Sequence, residues 1–356
     1  MGRRRWPSLV AARVHAKGTV AVLRLPDFTF RRPKDVREAA TILAGEGPRA
    51  MVVAGGTDLW PKMKRRQMEP RVVIGLRHLS ELHTVTGSPS DGIKLGANLT
   101  LFELERHPLL RSRYPAVADA AHSISSPPLK TMGTLGGNLC VDTRCFYYDQ
   151  TYEWRQSIHF CLKKDGDTCW VAPGSPRCWA VSSTDLAPVM LALDARLHLV
   201  SKSGERSIQA GQMYNHDGIA YLTKRADEIV TRVELPGING DITAFRKLRR
   251  RGSIDFPILN VAAWIRPDKS GRVVESARIA IGGVTSAPFL SETAANVLIG
   301  RELNEDTICE AAQAARLESR PLDNTDLDFS WRRQMVEVWV RRTLEDAAKQ
   351  RDQVKR

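Results

Sequence analysis

A chain of 356 residues, 42% hydrophobic and 26% charged, has the composition of a soluble globular protein and the length for two or three domains, each with its own core. No apolar run approaches the ~18–20 residues that cross a bilayer, so no membrane span is expected. The net charge of +13 arrives without a helix-turn-helix, zinc-finger or RNA-binding signature, so nucleic acid is not the expected partner and an acidic subunit or electron carrier is.

The first 24 residues hold six basic side chains, no acid and no uninterrupted apolar core, which reads as a basic N-terminal extension of a cytoplasmic protein rather than a targeting peptide. Val36, Ala39, Ala40, Ile42 and Leu43 then share one helical face, stopped by Gly45. Residues 49–54 read as a short buried strand, broken by Gly55-Gly56-Thr57-Asp58, with helix resuming over 59–64. Strands follow at 71–75 and 93–97, and Asn98 or Thr100 caps a helix through Leu104. An alanine-rich helix covers 115–123 and ends before Pro127-Pro128. Beyond an irregular, cysteine-bearing stretch come an apolar segment at 186–193 and strands at 196–200 and 228–235. After Pro236-Gly237 the pattern changes: strands at 244–249, 261–266 and 273–281, then helices at 291–299, 306–315 and 330–348. In the last helix Trp331, Met335, Val338 and Trp339 are expected to share the buried face. The whole reads as α+β, with a small C-terminal domain beginning near residue 240.

Two glycine turns, Ala54-Gly55-Gly56-Thr57-Asp58 and Thr134-Leu135-Gly136-Gly137-Asn138, pair glycines with short polar side chains that can bond a phosphate oxygen or cap the next helix. Neither is G-x-G-x-x-G in a βαβ unit, so a Rossmann NAD site is disfavoured. Each alone reads first as a tight turn needing positive φ; together they suggest a pyrophosphate held between loops. Asp185, in Ser183-Thr184-Asp185-Leu186-Ala187-Pro188, suits a ribityl or ribose hydroxyl acceptor, or a plain helix cap.

Cys140, Cys145, Cys161, Cys169 and Cys178 crowd the intervening stretch, with Cys309 far away. A disulfide framework does not suit a chain with an ample core and no secretory signal. Paired zinc spacing is met only by Cys140 and Cys145. Thiolates drawn from an extended loop suit an iron–sulfur cluster, whose ligands need not be paired; zinc and free buried thiols stay open. Eight of the chain's 23 aromatic residues stand in the same loop, a composition that keeps water from sulfur ligands.

The two glycine turns, with Val52-Val53 before the first and Leu59 after it, and the Ser183–Pro188 motif resemble the FAD-binding subunit of the molybdenum hydroxylase family, the xanthine and carbon monoxide dehydrogenases, over about residues 28–342. Asp255-Phe256-Pro257 and Asn260-Val261-Ala262 extend the likeness. It implies a two-part, PCMH-type FAD-binding domain of α/β halves over 25–238 and a small domain over 240–350, similar to the CO dehydrogenase flavoprotein C-terminal domain, with a three-stranded antiparallel sheet plus helices. Most members pass directly from the second turn to the Asp185 segment. The cysteine-bearing insert over 140–180 is similar to that in the β subunit of 4-hydroxybenzoyl-CoA reductase, where it carries a [4Fe–4S] cluster. That likeness implies Cys145, Cys161, Cys169 and Cys178 as ligands, separated by 16, 8 and 9, with Cys140 a non-ligand.

The resemblance further implies that the amides of Gly55, Gly56, Thr57, Gly136 and Gly137 cradle the FAD pyrophosphate, among Val53, Ala54 and Leu59. Asp58, Thr134, Asn138 and Asp185 would add polar contacts, and Lys247 or Arg246 would lie near the flavin. The partners implied are a molybdopterin-binding large subunit and a small [2Fe–2S] subunit, in a dimer of heterotrimers. Ferredoxin would deliver electrons through [4Fe–4S] and FAD to [2Fe–2S] and molybdenum, where 4-hydroxybenzoyl-CoA loses its hydroxyl to give benzoyl-CoA. The alternatives are the FAD subunit of another molybdenum hydroxylase with a different substrate, and a zinc-stabilised binding module.

Overall fold

The computed structural model describes residues 23–354, so nearly all of the expected basic extension lies outside the described residues. Three sheets organise the chain. The first is parallel, in the order β1-β3-β2, from Thr29–Arg31 (β1), Ala50–Val53 (β2) and Val72–Gly75 (β3). Two parallel neighbours need a crossover, and the helix Leu59–Lys64 supplies it between β2 and β3. The first glycine turn therefore leaves the carboxyl end of β2, where open α/β sheets carry their ligands. The helix Val36–Glu46 covers this sheet. Asp35 caps it by accepting from the Glu38 amide at 2.7 Å, and Gly47, at φ +56°, ends it.

The second sheet is antiparallel, in the order β4-β5-β8-β6-β7, from Val85–Ser88 (β4), Gly92–Gly96 (β5), Arg196–Ser201 (β6), Gly204–Gln209 (β7) and Ile229–Leu235 (β8). Its inner face packs on the helices Pro115–Ser123 and Leu186–Ala192 in the largest core cluster. Thr100 starts the helix Leu101–Arg106 with a capping box closed by Glu103.

The third sheet is antiparallel, β12-β11-β10-β9, from Ile242–Leu248 (β9), Leu259–Pro267 (β10), Val274–Gly282 (β11) and Phe289–Leu290 (β12). The expected three-stranded sheet thus gains a two-residue edge. Its period of two separates two cores. Ala262 and Trp264 face the helices of the preceding part, whereas Val261, Ala263 and Ile265 face Glu292–Leu298, Glu305–Glu318 and Phe329–Val354. In the last helix the buried stripe is Arg332, Val336, Val340, Leu344 and Ala347, not the expected Trp331, Met335, Val338 and Trp339. Trp331 is exposed, and Met335 and Trp339 flank the stripe. An arginine in its first turn hid the true face from a hydrophobicity pattern. Among the described residues no helix is long and apolar enough to cross a membrane.

Candidate cofactor sites

The two glycine turns meet across a cavity of about 490 Å³. Val53, Ala54, Gly55, Gly56, Thr57, Asp58 and Leu59 line one side, and Thr134, Gly136, Gly137 and Asn138 the other. The turns touch because Gly55 has no side chain: a Cβ there would lie 1.7 Å from the Met132 carbonyl oxygen. Gly56 has φ +71°, and a Cβ on it would also strike the Trp60 ring.

The turns differ in what they offer a ligand. Among the described residues, the amides of Gly55, Gly56, Thr57 and Asp58 donate to no protein acceptor. In the second turn Gly136 N donates to Ala97 O at 2.8 Å and Gly137 N to Thr134 Oγ at 3.1 Å, so the Gly136 and Gly137 amides expected to hold a phosphate are engaged. The first turn is the one able to bind an anion through its backbone; the second shapes the wall.

Asn138 ties that wall to the Ser183–Pro188 segment, its Oδ1 accepting from Thr184 Oγ at 2.8 Å and Leu186 N at 3.1 Å. Asp185 and Lys247, both expected at the flavin, pair with each other instead. Lys247 Nζ donates to Asp185 Oδ2 at 2.7 Å, and Asn260 Nδ2 to Asp185 Oδ1 at 2.9 Å. Neither lies in the cavity lining. Burial pushes the Asp185 carboxyl up, and Lys247 opposes it. Arg246 turns outward to Asp346.

Cys140 lines the cavity, whereas Cys145, Cys161, Cys169 and Cys178 are absent from its lining, all four buried and none in a disulfide. Cys145, Cys161 and Cys178 share a small core with Tyr148 and Ala180. The Cys145 thiol is pushed up to about 12 by burial, with Cys161 and Cys169 adding to the rise. A hydrogen bond from Cys178 lowers the Cys169 thiol, and the same bond raises Cys178. Close packing requires glycine here too: a Cβ on Gly218 would lie 2.8 Å from Cys178 Sγ. His159 and Phe160, at φ 60° and 61°, and Asp165, at 68°, put left-handed backbone around Cys161, a strain that functional loops tolerate.

Among the described residues no three or more His, Cys, Asp or Glu side chains are arranged to hold a metal ion. The donor chemistry, four buried thiols free of disulfides, suits a cluster that spreads its ligands over several irons.

Between cavity and thiols stands a charged partition. Lys62, completely buried, donates to Asp142 at 2.5 Å, and Lys163 reaches the same carboxylate at 2.8 Å. Both lysines face the Tyr148 ring, at 4.5 and 5.0 Å. Burial raises the Asp142 carboxyl, yet Lys163 and Lys62 hold it at about 2. Arg144 pairs with Asp58 and, at 3.3 Å, with Asp149, whose other oxygen accepts from the Cys145 amide. The insert is also fastened to the C-terminal part. Phe146 N donates to Asn324 O at 2.8 Å and Asn324 Nδ2 to Trp179 O at 2.6 Å. Buried Arg332 holds that loop through Leu322 O and Asn324 Oδ1. Apart from Asp58, these partition residues escaped sequence reasoning because Lys62 and Lys163 stand beside other basic residues and read as solvated, while the carboxylate they share lies 80 and 21 positions away; Thr151, which caps the unanticipated helix Tyr152–Ser157, was a legible signal.

Two family models match the chain: the FAD binding domain in molybdopterin dehydrogenase over residues 26–238 and the CO dehydrogenase flavoprotein C-terminal domain over 243–347. The chain is 31% identical to the aldehyde oxidoreductase FAD-binding subunit of Escherichia coli, across 80% of this chain and 90% of that one. It is 25% identical to the glyceraldehyde dehydrogenase medium chain of Sulfolobus acidocaldarius, across 91% and 99%. Carbon monoxide dehydrogenase of Hydrogenophaga pseudoflava superposes with a TM-score of 0.74 at 25% identity, across 92% and 99%.

Proposed function

The chain belongs to the family of FAD-binding subunits of molybdopterin dehydrogenases, and from that premise we propose that it is the electron-relaying flavoprotein of a molybdenum enzyme, carrying FAD in the cavity and a [4Fe–4S] cluster on Cys145, Cys161, Cys169 and Cys178. The observation that carries this reading is the pairing of four free, unengaged amides on the first glycine turn with four buried thiols across one partition. When bound, flavin and cluster supply two-electron and one-electron redox chemistry. The chain supplies the rest. Gly55, Gly56, Thr57 and Asp58 bind the anionic end of the flavin nucleotide through their amides. Asn138 and Thr134 fix the opposite wall, and the Lys247–Asp185–Asn260 knot holds that wall from behind. Tyr148, with Tyr147 packed against the same small core, excludes water from the thiols, whereas Phe146, Tyr152 and Trp170 of the insert are exposed.

The partners on this reading are a molybdopterin-binding large subunit and a small [2Fe–2S] subunit in a dimer of heterotrimers. The four-cysteine insert supports a reductase acting on 4-hydroxybenzoyl-CoA with ferredoxin as donor. A second reading, oxidation of an aldehyde with electrons leaving by the same insert, is favoured by the names of the Escherichia coli and Sulfolobus relatives. Turnover by the complete complex decides between them, since this chain does not meet the substrate: 4-hydroxybenzoyl-CoA with a reduced donor, or an aldehyde with an oxidant. Anaerobically purified protein is expected to hold one flavin and about four irons per chain. Cys161→Ser is expected to lose the iron signal and keep the flavin. Zinc in place of iron, or flavin and iron lost together, refutes the assignment.

A further inference from the structure

Arg144 bonds both the first glycine turn and the loop that carries the first of the four thiols. Its Nη2 donates to Asp58 Oδ1, on the turn with the unengaged amides, and its Nη1 to Asp149 Oδ1 at 3.3 Å. The other Asp149 oxygen accepts from the Cys145 amide at 3.1 Å, and Asp149 N donates back to Cys145 O at 2.9 Å. The Arg144 backbone is held as well, exchanging hydrogen bonds of 2.8 and 2.7 Å with Val181, just past the insert. Phe256, from the cavity lining, covers the guanidinium at 4.0 Å.

Asp58 is an awkward residue for an anion-binding turn. Its carboxylate lies in the same cavity lining as Gly55, Gly56 and Thr57, where it would repel the pyrophosphate that their amides receive. It does not cap the helix Leu59–Lys64 either. Among the described residues its hydrogen-bonding partner is Arg144, 86 positions away. The partition's other ion pairs, Lys62 and Lys163 on Asp142, leave the side chains of the turn untouched. One continuous set of bonds thus runs from the turn through Arg144 and Asp149 to the Cys145 amide.

We propose that Arg144 is a positioning residue common to the two sites: it cancels the Asp58 charge so that the turn accepts the FAD pyrophosphate, and through Asp149 it makes FAD binding close the Cys145 loop. The proposal rests on the reading that FAD occupies the cavity, and it requires no metal on the thiols. A ligand that orders the turn favours the bonded state of each link, and by reciprocity a closed loop favours the ligand.

The test uses the full chain, freed of flavin and iron, with two readouts. FAD affinity is measured by flavin fluorescence, and the rate of iodoacetamide alkylation at Cys145 by peptide mass mapping, without FAD and at saturating FAD. In the wild type FAD is expected to slow alkylation of Cys145. Arg144→Met is expected to weaken FAD binding at least about tenfold, through one uncancelled carboxylate beside an anion. Adding Asp58→Asn, which keeps the backbone amide, restores most of that affinity, yet FAD no longer protects Cys145 because the link to Asp149 stays broken. Asp149→Ala loses the protection with a much smaller loss of affinity. A merely structural arginine would not be rescued by removing a second charge. Should Arg144→Met fail to fold, the double variant and Asp149→Ala still decide. Wild-type affinity in Arg144→Met, no recovery in the double variant, or protection that survives Asp149→Ala overturns the proposal. A wild type that binds no FAD overturns the flavin reading and this proposal with it; FAD bound without protection of Cys145 overturns the proposal alone.

Discussion

Replacing Gly55 by alanine inserts one methyl group where the first glycine turn meets the second. The added Cβ would stand 1.7 Å from the Met132 carbonyl oxygen and 2.4 Å from its carbon, both backbone atoms that no rotamer change can move. A carbon–oxygen contact normally settles near 3.3 Å, so the turns must part by about 1.5 Å. Overpacking of this kind costs about 1–3 kcal/mol. In a protein of this size that lowers the melting temperature by about 2–10 °C. The damage falls on the four amides offered to the ligand, so the flavin-to-protein absorbance ratio after gel filtration is expected to collapse while the fold survives. Gly211→Ala, where a Cβ meets nothing within 4 Å, is the control and should leave both quantities unchanged. A Gly55→Ala protein with full flavin and a wild-type melting temperature refutes the packing argument.

Other expectations concern the buried charges. Asp142 titrates at about 2 in the folded chain, below its unfolded value near 3.9. Its stabilisation is therefore present above about pH 4 and lost as pH falls through 2, an effect of about 2–3 kcal/mol. The urea-midpoint gap between wild type and Asp142→Asn should narrow between pH 7 and pH 2.5; a gap that stays constant refutes the linkage. Lys247→Met leaves the Asp185 carboxylate enclosed without its cation and should cost about 3–5 kcal/mol, measured by denaturant unfolding. Adding Asp185→Leu should recover part of that loss, and strict additivity would show that the pair does not interact. Thr134→Ala removes the cap that accepts from Gly137 N and should cost about 1 kcal/mol, with flavin retention falling alongside the melting temperature.

Residues whose partners lie close in sequence were the legible ones. The helix over Leu59–Lys64, the cap at Thr100 and the three long strands of the last sheet follow from periodicity and turn chemistry within a short window. The glycine turns were legible as turns, but which of them offers free amides depends on Ala97, a residue brought in from the end of β5. Asp185 and Lys247 read as flavin contacts from the family resemblance; their mutual attraction across 62 positions is a tertiary fact. The strand β7 is mostly exposed and polar, so no alternation marked it. Arg155 and Arg332 look like surface charges in any hydropathy window, and only the closed fold shows them enclosed.

The fastening of the cysteine insert to residues 322–332 has a consequence for biosynthesis. Phe146 and Trp179, which directly follow Cys145 and Cys178, are moored to Asn324, and Asn324 is moored to Arg332 near the start of the final helix. A nascent chain delivers its N-terminal parts first. The pocket around the cysteines thus cannot be finished until almost the whole polypeptide has left the ribosome. If the cysteines take up a cluster as proposed above, its insertion would be a late, post-translational event that waits for the last helix.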